Sequence, residues 1–502
     1  MKYERSAGVL LHPTSLPSIF GIGDFGPESK KFIDFLHRNR FTWWQTLPLN
    51  PPGFGESPYQ CFSAFAINPM LISPELLYHI KLLNDSDIKN IPSFNKTSVD
   101  FEKVKPFKMD LFKKAFNRFK NTRKPIDWAI FISENSYWLN EYCVFSAVKE
   151  YFNQAPWQAW DENIANRDPG IVEYYEGLLY EEVEFYQFLQ YVAFHQWSDL
   201  KDYANSLEVK LMGDLPIFVS SDSSDTWSRR EYFELNKKGN PLKIAGVPPD
   251  YFSKTGQLWG NPHYVWEKMR DDEFLWWRER LEVLLRYNDA IRIDHFRGFE
   301  SYWEIDGDSK NAINGSWIKA PGRELFDSIK KHMGNLPIIA EDLGVISQEV
   351  IDLKDSQGFP GMKILQFAFG NASEERFLPD FYEKKSVVYT GTHDNDTSIG
   401  FYNHLQKESP EDFEKMIKML NLTPQDGEKA FCWQLIVTAM HSNSMIAIIP
   451  MQDVLNLDTF HRMNIPGTIE GNWRFRFQWN QLTNEQEEKL RSLIKRTSRF
   501  KA

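Results

Sequence analysis

The sequence contains little cysteine, with Cys61, Cys143 and Cys432 as the three cysteines among 502 residues. An odd number without CxxC spacing indicates neither a disulfide framework nor a zinc site, and we expect a reducing compartment, the cytoplasm. No apolar run approaches the roughly 20 residues of a membrane-spanning helix. The apolar stretch near the N-terminus, at 8–11, is too short for a signal peptide. We therefore expect a soluble protein without a membrane partner.

Positive charge is not in excess either, because the formal net charge is −11. Partners such as nucleic acids and anionic membranes select clustered Lys and Arg, so neither is expected here. Nucleotide-binding loops and the HExxH metalloprotease motif are absent as well. Aromatic residues, in contrast, are plentiful, with 17 Trp, 20 Tyr and 39 Phe. This composition favours an uncharged ligand held on flat stacking surfaces.

Short apolar, β-rich runs recur along the chain, and each ends in polar residues, glycine or proline. Helix-like segments separate most of them, as at 28–39 and 323–333. Parallel strands need helical crossovers, and closing the sheet removes its edges, so the pattern predicts a closed (β/α)₈ TIM barrel in the α/β class. An open doubly wound sheet is the alternative. The eight runs are 8–11, 42–47, 210–214, 290–294, 337–341, 362–367, 387–391 and 445–449.

Two long stretches interrupt this alternation. Residues 68–192 contain no comparable strand run and predict a mainly helical insertion between a first barrel segment, 1–67, and the remainder, 193–502. Residues 220–262 are dense in Gly, Pro, Ser and aromatics. Because loops of this length are usually functional, we expect a lid or insertion at about 220–287, with a passive surface loop as the alternative.

Acidic residues end or closely follow four of the eight runs: Asp214, Asp294, the pair Glu341 and Asp342, and Asp394. The C-terminal ends of barrel strands meet on one face, so these side chains should be neighbours. A single acid in such a position commonly caps the next helix. Four like charges on one rim destabilise a fold unless function requires them. We therefore expect an active site there.

Paired carboxylates suit a glycosidase that retains anomeric configuration, which needs one ionised and one protonated carboxyl about 5 Å apart. Arg292 and Asp294 point to the same side of a strand, so the guanidinium should keep Asp294 ionised. Burial and negative neighbours should keep Glu341 or Asp342 protonated. These two adjacent residues face opposite ways, so only one can act, and chain position leaves the choice open.

A third acid, Asp394, lies beside His393. It suits hydrogen bonds to sugar hydroxyls that tighten as the ring flattens toward the transition state. The alternative for Asp394 is a loop-structuring Asx turn.

Three of the strand-end motifs, RIDHFRG at 292–298, AEDLG at 340–344 and GTHDN at 391–395, resemble signatures of the α-amylase superfamily. Further motifs resemble the amylomaltases, a family of 4-α-glucanotransferases, and together they span nearly the whole chain. They are GVLLHPTSLP at 8–17, WWQTLPL at 43–49, SPYQCFSAFAINP at 57–69, GDLPI at 213–217, GVPPDYF at 246–252 and RMNIPG at 462–467.

The resemblance implies a barrel with inserted helical subdomains and no C-terminal β-domain. No calcium-loop pattern occurs in the sequence, and neither a cofactor nor a metal is expected. The resemblance also implies retaining cleavage of α-1,4-glucans and transfer to the 4-hydroxyl of an acceptor, with maltooligosaccharides, amylose-type glucans and glucose as partners. Asp294 would be the nucleophile, Glu341 rather than Asp342 the acid and base, and Asp394 the transition-state stabiliser. The substrate-binding residues implied are Tyr59, Asp214, Arg292 and His393 at the cleavage point and Trp259, Ser57 and Asn464 in neighbouring subsites.

Two other functions stay open at this stage. An α-1,4-glucan hydrolase would share the carboxylates, and a catalytically inactive glucan-binding protein would share the aromatic residues. A lid carrying Tyr251, Phe252 and Trp259 would exclude water and favour transfer.

Overall fold

A computed structural model of the protein describes residues 4–249, 254–369 and 375–500. Its strands fall into two sheets, one parallel and one antiparallel. In chain order the strands of the described residues are β1 (Ser6–Leu10), β2 (Trp43–Gln45), β3 (Lys210–Pro216), β4 (Lys243–Val247), β5 (Gln257–Pro262), β6 (Ala290–Asp294), β7 (Ser301–Asp306), β8 (Gly315–Lys319), β9 (Ile338–Ala340), β10 (Gly361–Ile364), β11 (Ser386–Tyr389) and β12 (Ile446–Pro450).

The parallel sheet has eight strands in the order β10, β11, β12, β1, β2, β3, β6, β9. Its two end strands, β9 and β10, are joined by the Ala340 N–H, which donates to the Pro360 carbonyl at 2.9 Å. The Met362 N–H donates to Asp342 Oδ1 at 2.7 Å across the same seam. The sheet is therefore a nearly closed barrel, and all eight predicted runs supply its strands. The predicted (β/α)₈ barrel is confirmed over the open doubly wound sheet.

Helices lie around this barrel, and several of them pack an apolar face on it. On the first one, Phe32 is fully buried and its ring lies 4.9 Å from that of Trp44 in β2. The helices are α1 (Pro27–Arg38), α2 (Pro74–His79), α3 (Asp85–Ile88), α4 (Phe101–Phe119), α5 (Ile126–Glu134), α6 (Ser136–Tyr151), α7 (Glu162–Ala165), α8 (Ile171–Leu178), α9 (Tyr180–Ser206), α10 (Ser224–Ser228), α11 (Trp266–Asp271), α12 (Leu275–Tyr287), α13 (Gly322–Met333), α14 (Gln348–Gln357), α15 (Ser398–Glu408), α16 (Pro410–Met419), α17 (Gly427–His441), α18 (Met451–Val454) and α19 (Asn484–Arg496).

Residues 68–192 contain helices α2 to α8 and the first half of α9, and no strand. The predicted boundary at 192 falls inside α9, which continues to Ser206. Phe194 of this helix packs on Trp138 of α6 at 5.7 Å, whereas Trp197 packs on Trp44 of the barrel at 6.1 Å. One continuous helix thus contacts both regions, and the division into domains stays a prediction.

The role of residues 220–287 as a lid or insertion stays a prediction, but the stretch is not a loop at residues 243–247 and 257–262. These residues form β4 and β5, which belong to a four-stranded antiparallel sheet in the order β5, β4, β7, β8. Ile244 of β4 pairs with Ile305 of β7, which lies about 60 residues further along the chain. A pairing between distant segments leaves no local signal in the sequence. Residues 250–253, with Tyr251 and Phe252 of the predicted lid, lie outside the described residues.

Beyond β12, the described residues 451–500 form α18, α19 and short 3₁₀ turns, without a further strand. None of the helices in the described ranges is long and apolar enough to cross a membrane.

Candidate active site

Arg292 lies at the centre of the barrel rim, between two carboxylates. Parallel pairing of β3 with β6 sets Asp214 beside Arg292. Nη1 of Arg292 lies 2.6 Å from Asp214 Oδ2, and Nη2 lies 2.8 Å from Asp294 Oδ1. Arg292 and Asp214 are buried, so their ion pair is shielded from solvent, whereas the Asp294 side chain is 27% exposed. Asp214 itself lies within β3, which continues to Pro216, rather than at the strand end.

Three aromatic rings form one wall of the site. The Tyr59 hydroxyl donates to Asp214 Oδ2 at 2.7 Å, and its ring stacks on His393 with centroids 5.0 Å apart and planes 9° apart. The indole of Trp473 lies 5.8 Å from the Tyr59 ring and 6.0 Å from His393. Burial raises the pKa of Tyr59 and lowers the pKa of His393. Both rings are therefore uncharged near neutral pH.

Glu341 and Asp342 follow β9 and face opposite ways, as alternation along a strand requires. Glu341 Oε2 accepts the His295 N–H at 2.5 Å beside Asp294. Asp342 points into the barrel seam, where it accepts the Met362 N–H at 2.7 Å and lies 3.0 Å from Lys354 Nζ. The Asp342 carboxylate is thus occupied in joining β9 to β10. This geometry favours Glu341 over Asp342 as the acid and base, in agreement with what the resemblance implies.

Replacing Asp342 with Asn should therefore act on stability rather than on chemistry. The change removes the buried carboxylate partner of the Lys354 ammonium, whose side chain is 7% exposed, and leaves it the exposed Asp355 at 3.5 Å. We expect the free energy of unfolding to fall by about 3 kcal/mol, as when one partner of a buried ion pair is removed. Urea denaturation measures this loss, and transfer activity should fall far less than in Glu341→Gln.

Asp352→Asn on α14 is the matched control, because Asp352 is exposed. We expect it to change the free energy of unfolding by less than about 0.5 kcal/mol. A stable but inactive Asp342→Asn protein would contradict the structural role of Asp342.

Asp394 projects into the site from the loop after β11. Asn464 Nδ2 donates to Asp394 Oδ1 at 2.7 Å, and His393 Nε2 lies 3.3 Å from Oδ2. The loop is instead structured by Asn395, whose Oδ1 accepts the N–H of Thr392, three residues earlier, at 2.8 Å. The Asp394 side chain stays 45% exposed and is open to a ligand.

Trp259 and Ser57 lie at the edge of this cluster. The Trp259 ring meets the His295 ring edge-on, with centroids 4.8 Å apart and planes at 87°. The Trp259 carbonyl accepts a hydrogen bond from Gln60 Nε2 at 2.9 Å, which connects β5 to the loop that contains Tyr59. Ser57 Oγ accepts the Tyr59 N–H at 3.3 Å and so shapes this loop. The structure thus brings together the three predicted catalytic residues and the seven predicted substrate-binding residues, with Ser57 linked through the Tyr59 backbone.

Sequence reasoning missed several residues of the site. Arg462, whose Nη2 donates to the Asp394 carbonyl at 2.9 Å, lies in a motif that was noted only for its resemblance. Trp473 reaches the aromatic wall from a left-handed backbone with φ of 64°. His295, with φ of 52°, is also left-handed. Such conformations are rare for residues with a side chain and have no sequence signature outside Gly and Asn.

The carboxyl groups of Asp294 and Glu341 differ in their pKa values. Burial raises the pKa of Asp294 to about 7, although Arg292 opposes this shift. The expectation of a fully ionised Asp294 considered Arg292 alone and needs this correction. Burial, and then the charge of Asp294, raise the pKa of Glu341 well above its ordinary value. Because Arg292 contacts Asp294 directly at 2.8 Å, Asp294 is the first of the two to lose its proton.

A carboxylate and a carboxylic acid on neighbouring strand ends, beside aromatic rings and hydroxyl-binding groups, define the class of retaining glycosidase-type enzymes built on a (β/α)₈ barrel. The 4-α-glucanotransferase family model matches residues 11–483. The chain therefore belongs to the 4-α-glucanotransferase family, and the resemblance found in the sequence is confirmed.

Individual relatives agree with this assignment. The 4-α-glucanotransferase of Synechocystis sp. is 47% identical over 487 residues, covering 96% of this chain and 95% of its own. That of Thermus thermophilus is 41% identical over 505 residues, covering 100% of both chains. The solved structure of amylomaltase from Streptococcus agalactiae in complex with acarbose superposes with a TM-score of 0.95 at 37% identity, covering 99% of this chain and 100% of that one.

Proposed function

We propose that the protein cleaves α-1,4-glucans with retention and transfers the released segment to the 4-hydroxyl of another glucan or of glucose. The observation that carries this is the placement of Asp294 and Glu341. The last paired residues of β6 and β9 are Ile293 and Ala340, and the two acids follow directly. Parallel strands lie about 4.8 Å apart. Side chains on strand ends this close can bring their carboxyl groups to the roughly 5 to 5.5 Å of retaining enzymes, below the longer separation of inverting ones.

In the first step, Asp294 is the nucleophile and attacks the anomeric carbon of the donor sugar. Glu341 gives its proton to the glycosidic oxygen as the carbon–oxygen bond breaks, so the leaving chain departs with a free 4-hydroxyl. A covalent glucosyl ester on Asp294 remains, with inverted configuration. The order of ionisation at the site, Asp294 before Glu341, supports these two roles.

In the second step, the Glu341 carboxylate takes the proton of an acceptor 4-hydroxyl. The acceptor oxygen attacks the anomeric carbon from the side that the first leaving group vacated, and Asp294 is released as a carboxylate. Two inversions give overall retention. Water in place of the acceptor would give hydrolysis.

The remaining polar groups hold the sugar at the cleavage point. Asp394 accepts hydrogen bonds from hydroxyl groups of the sugar ring, and Asn464 and His393 orient its carboxylate. The ion pair of Arg292 and Asp214 lies beneath the sugar, and the Tyr59 ring covers the sugar with an aromatic face. Hydrogen bonds that shorten as the ring flattens stabilise the transition state more than the bound substrate.

Transfer is favoured where the acceptor is held and water is excluded. The small antiparallel sheet contributes Trp259 at the edge of the site, against His295 and tied to Gln60. An aromatic face in this position provides an acceptor subsite next to the glucosyl ester. Maltooligosaccharides and amylose-type glucans are the partners that this arrangement fits.

Incubation with maltotriose tests the proposal directly. We expect a ladder of longer maltodextrins together with free glucose, because each transferred segment lengthens one acceptor. Thin-layer or anion-exchange chromatography of the products measures it. Short products alone would indicate the alternative, an α-1,4-glucan hydrolase, and unchanged maltotriose would indicate a protein that only binds glucan.

The cytoplasm is the compartment that we propose for this reaction. All three cysteines are buried and carry free thiols. Burial raises the pKa of Cys61 to about 12, so this thiol stays protonated and unreactive. Thiols of this kind suit a reducing compartment.

A further inference from the structure

The backbone directly after Asp294 turns sharply at His295, which has φ of 52° and ψ of 51°. This left-handed conformation is disfavoured for a residue with a Cβ atom and persists only where the surroundings impose it. A 3₁₀ turn, Phe296–Phe299, begins at the next residue. The turn brings two successive backbone N–H groups onto Glu341. The His295 N–H donates to Glu341 Oε2 at 2.5 Å, and the Phe296 N–H donates to the Glu341 carbonyl at 3.1 Å.

The surroundings of the His295 ring hold this conformation in place. The ring packs edge-on against Trp259 at 4.8 Å, and an added Cβ at Gly298 would lie 3.3 Å from His295 Cδ2. Burial, with a smaller effect of Arg297, lowers the pKa of His295 to about 3. The ring is therefore neutral near pH 7 and serves as packing rather than as an acid or base of the reaction.

A carboxylic acid group has one hydroxyl oxygen and one carbonyl oxygen, and a backbone N–H needs an acceptor. A donor fixed at Oε2 favours the form of Glu341 in which Oε2 is the carbonyl oxygen and Oε1 carries the proton. After the proton has been given away, the same N–H stabilises the negative charge on the carboxylate. One fixed donor thus acts in both protonation states of the acid.

Building on the proposed role of Glu341, we propose that His295 is a positioning residue whose left-handed backbone fixes Oε2 as the acceptor and so assigns the transferred proton to Oε1. The proton leaves from Oε1 to the glycosidic oxygen in the first step. In the second step Oε1 takes up another proton, from the acceptor hydroxyl. The residue after the nucleophile thereby sets the geometry of the acid.

Other charged and titratable groups also influence Glu341 and must stay constant in any test. Asp294 and Arg292 face it from β6, Asp342 adjoins it after β9, and Tyr389 faces it from β11. Substitutions at His295 leave all four side chains in place. Differences between His295 variants therefore report on the backbone turn and on the imidazole ring.

Three variants separate the backbone from the ring. His295→Val keeps the N–H but disfavours a left-handed backbone, because it is β-branched. His295→Gly and His295→Asn both tolerate that backbone, and neither has the ring. If the turn positions the acid, kcat for maltotriose should fall about 10²-fold in the Val variant, at the lower end of what a misplaced general acid costs. The Gly and Asn variants should recover most of that turnover, with KM raised because the contact with Trp259 is lost.

A second donor identifies the step that is affected. Fluoride leaves α-maltosyl fluoride without needing a proton, so the first turnover of this donor tests the nucleophile alone. We expect His295→Val to release the first equivalent of fluoride at a rate within about fivefold of the parent protein and then to turn over slowly, because the Glu341 base is misplaced. A normal first release in the same preparation also shows that the variant is folded.

Two results would overturn the proposal. Equal losses in the Val, Gly and Asn variants would assign the effect to the ring, and an equally slow first fluoride release in the Val variant would assign it to general damage of the site. Failure of the underlying function is recognised separately, because Glu341→Gln would then retain its turnover of maltotriose.

Discussion

Replacing Asp294 with Asn should reduce transfer from maltotriose by roughly 10⁴- to 10⁶-fold, the range seen when a covalent nucleophile is removed. The amide has nearly the same volume, and its oxygen can still accept from Arg292, which lies 2.8 Å from the parent carboxylate. What is lost is the negative charge that attacks the anomeric carbon. Initial rates of glucose release from maltotriose measure the effect, and thermal unfolding within a few degrees of the parent establishes that the fold is kept.

Asp294→Ala adds a sharper test, because it opens space where the carboxylate lies. A small anion such as azide, supplied with α-maltosyl fluoride, can then attack the anomeric carbon from the side of the missing carboxylate. One displacement inverts the configuration, so the product should be a β-maltosyl azide and no ladder should form. An α-configured azide, or undiminished ladder formation in either variant, would show that Asp294 is not the nucleophile.

Much of the fold was predictable because its signals are local. Each barrel strand is a short apolar run, and the helical segments between them require parallel pairing. Asp294 and Arg292, two residues apart on β6, could be placed on one face by alternation alone. Their contact at 2.8 Å agrees with that argument.

The remaining features depend on contacts between distant segments. The pairing of β4 with β7 cannot be read from a stretch rich in Gly and Pro. The raised pKa of Asp294 depends on burial by the surrounding fold, whereas the sequence showed only the neighbouring Arg292. Asp342 and Glu341 look equivalent as adjacent acids. Their roles separate only because one faces the seam between β9 and β10 and the other faces His295.

Replacing Glu341 with Gln should lower turnover of maltotriose by about 10³- to 10⁴-fold, as expected for a group that serves as general acid and then as general base. The first turnover of α-maltosyl fluoride should change by less than about tenfold, because this leaving group needs no proton. The maltosyl ester of Asp294 should then accumulate, since Gln cannot deprotonate the acceptor. Mass spectrometry of the intact protein after mixing should show one added maltosyl group.

The pH dependence of the rate of Glu341→Gln distinguishes the ionisation of Asp294 from that of Glu341. In the parent protein, the rate should rise with pH as Asp294 loses its proton, with a pKa of about 7, and fall at higher pH as Glu341, whose pKa is raised well above the ordinary value, loses its own. With Gln at 341 and α-maltosyl fluoride as donor, no essential acid remains to be deprotonated. The alkaline fall should therefore disappear while the acid-side rise remains. An alkaline fall that persists in Glu341→Gln would assign the acid to another residue.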